Sequence, residues 1–186
     1  MVQVKEKLFQ DVKSKYETLS TDLTKMEYLE SVLKMSDVNM DVKKFALGML
    51  AELYERRMMY DKAAKAMFGK AGYDLTFREK VDTYLKAAEY YAKAGNILGA
   101  EDMFSRASRE ANTEQQGKIN LAKKNIYFTI ASDLEKKGRM SNGTKFYEHL
   151  LTLKIDDLEK SMIKKKLVEY YKRMGRFNEM RMIDAR

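Results

Sequence analysis

The stretch Ala88-Glu89-Tyr90-Tyr91-Ala92-Lys93-Ala94-Gly95 decides the fold, because it recurs. Eighty residues later it returns as Val168-Glu169-Tyr170-Tyr171-Lys172-Arg173-Met174-Gly175. Between the two lies Ala131-Ser132-Asp133-Leu134-Glu135-Lys136-Lys137-Gly138, and before them Ala51-Glu52-Leu53-Tyr54-Glu55-Arg56-Arg57-Met58. The units are spaced by 37, 43 and 37 residues. A recurrence of this size marks stacked supersecondary units, each too small to bury its apolar face alone.

The segments that follow repeat as well. Ala64-Lys65-Ala66-Met67-Phe68-Gly69-Lys70-Ala71 matches Ala100-Glu101-Asp102-Met103-Phe104-Ser105-Arg106-Ala107, with a one-residue slip in the first turn. Two antiparallel helices approach closely only where small side chains face the seam. Ala51, Ala88 and Ala131 supply these on the first helix of each pair, and Ala64, Ala100 and Gly143 on the second. Tyr54, Tyr91, Leu134 and Tyr171, with Phe68, Phe104 and Tyr147, are then expected to fill the space between neighbours. Gly95, Gly138 and Gly175 end the first helices, where a left-handed residue costs least. Tyr90 and Tyr170 stand apart as candidate interface residues, because Tyr91 and Tyr171 already occupy the seam.

Composition agrees with an all-α chain. The 186 residues include no proline and only nine glycines, so the strongest helix breaker is missing. Val4, Leu8, Val12, Tyr16 and Leu19 trace one face of a first helix. Ser20-Thr21-Asp22 caps a second carrying Leu23, Met26, Leu29 and Leu33. Ser36–Asn39 and Ala111–Thr113 read as short connections. With no cysteine, disulfides, thiolate nucleophiles and Cys-ligated metals are excluded. The start of the chain lacks a signal-peptide core, and no apolar run approaches the roughly 20 residues that span a bilayer, so no membrane insertion and a cytoplasmic location are expected.

A small residue seven before the turn glycine, Tyr or Leu four before it, and Ala, aromatic and Ala at five, nine and twelve after it resemble the tetratricopeptide repeat. Ala88, Tyr91, Gly95, Ala100, Phe104 and Ala107 match throughout. The proline usual at the end of such repeats is missing. The repeats also exceed the usual 34 residues, and in length they are similar to the long-helix adaptors of vesicle fusion. The resemblance covers residues 43–186 as four units, with 1–42 a diverged N-terminal hairpin. It implies one domain over 1–186, a right-handed α-solenoid of about ten helices whose first helices line a concave groove.

The resemblance also implies which residues face that groove, namely those ten, six and two before each turn. These are Gly48, Glu52 and Arg56; Leu85, Glu89 and Lys93; Phe128, Ser132 and Lys136; Lys165, Glu169 and Arg173. The family's carboxylate clamp needs paired Lys and Asn at the first two positions, and no unit supplies them. What the groove offers is a column of basic residues, Arg56, Lys93, Lys136 and Arg173. The same column reads equally as i,i+4 pairing with Glu52, Glu89, Ser132 and Glu169.

Catalytic chemistry finds little to use. His149 is the single histidine, no glycine loop cradles a phosphate, and most carboxylates lie four residues from a Lys or Arg. The expectation is a non-enzymatic scaffold or adaptor, without cofactor or metal, holding an acidic protein or peptide. The alternative is a nucleic-acid binder, because seven of the eight excess positive charges lie in residues 111–186. Lys164-Lys165-Lys166 argues weakly for it: at about 100° per residue the three side chains diverge. Lys160, Lys164, Arg173 and Arg176 with Lys123, Lys124 and Arg139 form the broader basic set. Phe177, Met180 and Ile183 are expected to leave apolar surface at the C-terminal end, so that this end pairs with a second copy as a homodimer or continues in a longer protein.

Overall fold

The computed structural model describes residues 6–184. Val4, placed above on the first helix, lies outside the described residues, as do Ala185 and Arg186. Ten helices and no strand occur among the described residues: α1 (Phe9–Thr18), α2 (Asp22–Leu33), α3 (Met40–Arg56), α4 (Tyr60–Ala71), α5 (Phe77–Lys93), α6 (Ile97–Glu110), α7 (Thr113–Lys136), α8 (Met140–Leu151), α9 (Asp157–Arg173) and α10 (Phe177–Asp184). None is long and apolar enough to cross a membrane. The chain forms two compact units, one ending at Ile119 and the other starting at Asn120. In the first, α3, α4, α5 and α6 pack each against the next; in the second, α9 packs on both α8 and α10.

Polar side chains start the helices by accepting otherwise unpaired backbone N–H groups. Thr21, Asn39, Asn96 and Asp156 accept from Thr24, Val42, Gly99 and Glu159. Thr76 and Glu79 form a reciprocal capping box at the start of α5. The first helices of the pairs end identically. The N–H groups of Met59, Asn96, Arg139 and Arg176 donate to the carbonyls of Tyr54, Tyr91, Leu134 and Tyr171, five residues back, at 2.8, 2.9, 2.8 and 2.8 Å. This closure requires a left-handed residue, and Gly95, Gly138 and Gly175 take φ of 80°, 70° and 70°.

At the first of these turns Met58 does the same with φ 57°. The turn therefore needs no one-residue slip: residues 58 and 95 are equivalent, and so are Ala63 and Ala100, both fully buried. This corrects the expectation for Phe68, which is not a seam residue. It is 38% exposed and stacks against Tyr84 and beneath the Arg106 guanidinium. Met58 is 76% exposed, so its side chain holds little packing. Met58→Gly should raise stability by about 0.5–1 kcal/mol, the left-handed strain of a Cβ less the entropy glycine loses. Chemical denaturation checks this, and an unchanged midpoint would mean the turn carries no strain.

Apart from Ala63 standing in the place expected of Ala64, the other seam positions are as expected. Ala51, Ala88, Ala131, Ala64 and Ala100 are buried, and a Cβ on Gly143 would stand 3.4 Å from the Ala131 carbonyl. Tyr54, Tyr91, Tyr171, Phe104 and Tyr147 are buried, and Leu134 partly so. The 43-residue spacing has a local cause: α7 runs 24 residues where α3, α5 and α9 run 17. Further corrections concern helix faces. α1 starts at Phe9, leaving Leu8 as an exposed N-cap, and Leu23 faces solvent on α2. Phe177 is exposed as expected, but Ile183 is buried.

Candidate binding surface

The register that defines the turns also places the candidate groove residues. In the first unit Glu52 and Arg56 lie on α3, and Leu85, Glu89 and Lys93 on α5. Arg56 does not pair with Glu52. It forks onto Asp22 of α2 at 3.0 and 3.2 Å, a bidentate geometry that a monodentate partner one turn away cannot match. Lys93 bonds Glu89 at 2.6 Å and Glu55 at 3.1 Å. Burial pushes the Lys93 ammonium down and these two carboxylates, outweighing it, hold it above its ordinary value. Lys86 bonds Glu89 at 3.0 Å, so the carboxylate, raised by burial, is nonetheless held low by its two lysines.

In the second unit Phe128, Ser132 and Lys136 lie on α7, and Lys165, Glu169 and Arg173 on α9. Arg173 pairs with Glu169 along the helix. Lys136 and Lys165 are exposed and form no ion pair among the described residues. The basic column is thus largely self-neutralised, and Lys136 is its one member without a carboxylate partner among the described residues.

Tyr90 and Tyr170, singled out as interface candidates, are buried at 1% and 4%. Tyr90 donates to Glu55 at 2.5 Å, Tyr147 donates to Glu135 at 3.0 Å, and the Glu135 charge acts on Tyr170. Burial first, and then these carboxylates, push the Tyr90 and Tyr170 phenols far up. Lys86 reaches Glu55 at 3.9 Å and Lys166 reaches Glu135 at 2.8 Å. Glu55, Lys86 and Tyr90 correspond to Glu135, Lys166 and Tyr170 by the 80-residue shift, while Lys93 belongs only to the first cluster and Tyr147 only to the second; the clusters tie α3 to α5 and α7 to α9. Their role is to join successive first helices. The sequence signal was present, since Glu55, Lys86 and Tyr90 recur as Glu135, Lys166 and Tyr170.

An apolar feature open to a ligand lies between α7 and α9. A cleft of about 290 Å³ is lined by Phe128, Leu150, Ile155, Met162 and Ile163, with Lys124, Asn125, Glu159 and Lys166 at its edges. Phe128 and Met162 are 46% and 54% exposed, while Leu150 and Ile163 form a buried floor. Lys124 bonds Glu159 at 2.7 Å and Lys166 bonds Glu135, so both edge lysines are engaged. The cleft therefore offers apolar surface before it offers charge. Sequence reasoning named Phe128 and missed Met162, Ile155 and Ile163.

The wider basic set is divided in the same way. Lys124, Lys160, Arg173 and Arg176 face carboxylates, and Arg176 also stacks on Tyr171. Lys164, Lys165 and Lys172 line a separate shallow depression along α9. His149 packs edge-on to Tyr127 at 6.1 Å. Among the described residues no group of His, Asp and Glu has metal-holding geometry. No protein-family model matches the chain, and no curated protein matches it.

Proposed function

We propose that this chain is a non-enzymatic helical-repeat module of the tetratricopeptide type, a right-handed solenoid that acts as scaffold or adaptor by holding a protein or peptide segment on its first helices. The observation that carries this reading is the exposure of Phe128, at a position the repeat register assigns to the groove, and of Met162 over an apolar cleft. Large apolar groups left in contact with water around a concavity of this kind mark interaction sites. The internal ion pairs add support, since they take up most of the charge a polyanion would need.

Selection of a displayed random peptide library on the full chain tests the reading. Enriched peptides should bind with a shallow dependence on salt, and a mixed-sequence RNA should not displace them. A polyanion site neutralising about six phosphates would instead give a log–log salt slope near about −4 with single-stranded nucleic acid. No enriched peptide, together with such a slope for RNA, would replace this reading with the nucleic-acid one.

A further inference from the structure

The second unit repeats the first with an 80-residue shift that holds at the level of bonds. Lys44–Glu79 (3.2 Å) returns as Lys124–Glu159 (2.7 Å), and Lys86–Glu55 (3.9 Å) returns as Lys166–Glu135 (2.8 Å). Helix starts follow the same shift, Tyr60 to Met140 and Phe77 to Asp157. Within this common frame the cleft keeps Lys124, Glu159 and Lys166 at its edges, while its apolar residues differ from their counterparts. Gly48, Lys70, Thr83 and Asp82 of the first unit become Phe128, Leu150, Ile163 and Met162 in the second.

The exchange changes what lines the space. In the first unit the Lys70 chain passes 3.8 Å from where a Gly48 Cβ would stand and bonds Asp74 and Thr83 at 3.2 and 3.1 Å. Asp74, with a fully buried side chain, also takes Thr83 at 2.5 Å and Lys44 at 3.0 Å. The corresponding residues Leu150, Lys154 and Ile163 cannot form that network. The depression on the first unit is lined by Gly48 and the charged Lys44 and Lys70, and the second unit has a smaller, apolar cleft at the equivalent residues.

Resting on the reading of the chain as a peptide-binding module, we propose that this cleft is the specificity pocket, and that it takes one apolar side chain of an acidic segment. The volume suits a single large side chain. The acidity of the segment follows from charge complementarity. Residues 120–186 hold sixteen basic and nine acidic side chains. Three lysines without an ion pair among the described residues lie near cleft residues along the chain, outside the lining itself. Lys154 precedes Ile155, Lys165 lies one helical turn from Met162, and Lys136 lies two turns along α7 from Phe128.

The test is fluorescence anisotropy with the full chain and three short labelled probes: a Glu/Ser peptide with one central Phe, the same peptide with Ser for Phe, and a Lys/Ser peptide with the Phe. The acidic Phe probe should bind at least about tenfold more tightly than either of the others. Phe128→Ala and Met162→Asp, both at exposed positions and the second copying the first unit, should each remove most of that difference while leaving helicity unchanged. Equal binding of the Phe and Ser probes, or full binding by both variants, overturns the pocket. If library-selected peptides bind the chain independently of Phe128 and Met162, the pocket fails while the peptide-binding reading stands. If no peptide of any kind binds, both fail.

Discussion

Replacing Asp74 with alanine should destabilise the protein by about 2–3 kcal/mol, a large share of the stability of a domain of this size. The carboxylate joins α3, α4 and α5 through Lys44, Lys70 and Thr83. Removing it strands two lysines with only 27% and 22% of their side chains exposed, and deprives a buried hydroxyl of its acceptor. Lys44 keeps Glu79, which places the loss below that of a wholly orphaned pair. Asp74→Asn, which retains a partner for Thr83 but not the charge, should lose less.

The same carboxylate has a pH signature. Burial raises its pKa, but hydrogen bonds from Thr83, Lys44 and Lys70 outweigh burial and hold it below the ordinary 3.8. A folded value below the unfolded one means that its contribution is complete above the unfolded value. The contribution is lost as pH falls below that value through the folded one. The stability difference between wild type and Asp74→Asn, followed by urea denaturation, should therefore be constant at neutral pH and shrink in strong acid. A difference that grew in acid would reverse the sign of the argument.

Ala100→Phe should cost up to about 3 kcal/mol. Ala100 is fully buried on α6, the helix packed against α5, and its neighbour Gly99 already has the Tyr91 ring 2.9 Å from where a Cβ would stand. No space exists for a phenyl without separating the two helices. Leu98→Ala, at a side chain 83% exposed, should stay within about 0.5 kcal/mol and serves as the control. Thermal unfolding that failed to separate the two variants would contradict the hairpin pairing of Gly95–Ala107.

Much of this architecture was legible in the residues. Alanines at the seam and glycines at the turns are dictated by backbone approach and by φ, which are local demands, so Ala88, Ala100 and Gly95 announce themselves. Met58 was hidden because a residue that tolerates strain leaves no compositional mark, and the apparent slip it caused misassigned Phe68. The Asp74 network was not visible because its members come from three helices and a loop, with no shared periodicity. The cleft was half visible. Phe128 followed from the groove register, but Met162, Leu150 and Ile163 acquire meaning only beside Asp82, Lys70 and Thr83, the last two of which bond the buried Asp74 in a network the second unit lacks.

The measurement that bears most directly on the proposed function is amide chemical-shift mapping of the full chain by NMR, with a library-selected peptide added stepwise. The proposed site predicts the largest shifts along Lys124–Lys136 of α7 and from Ile155 through Lys166, with small changes around Lys172 and α10. Shifts centred on Lys164 and Lys172, produced equally by RNA and by the peptide, would contradict it.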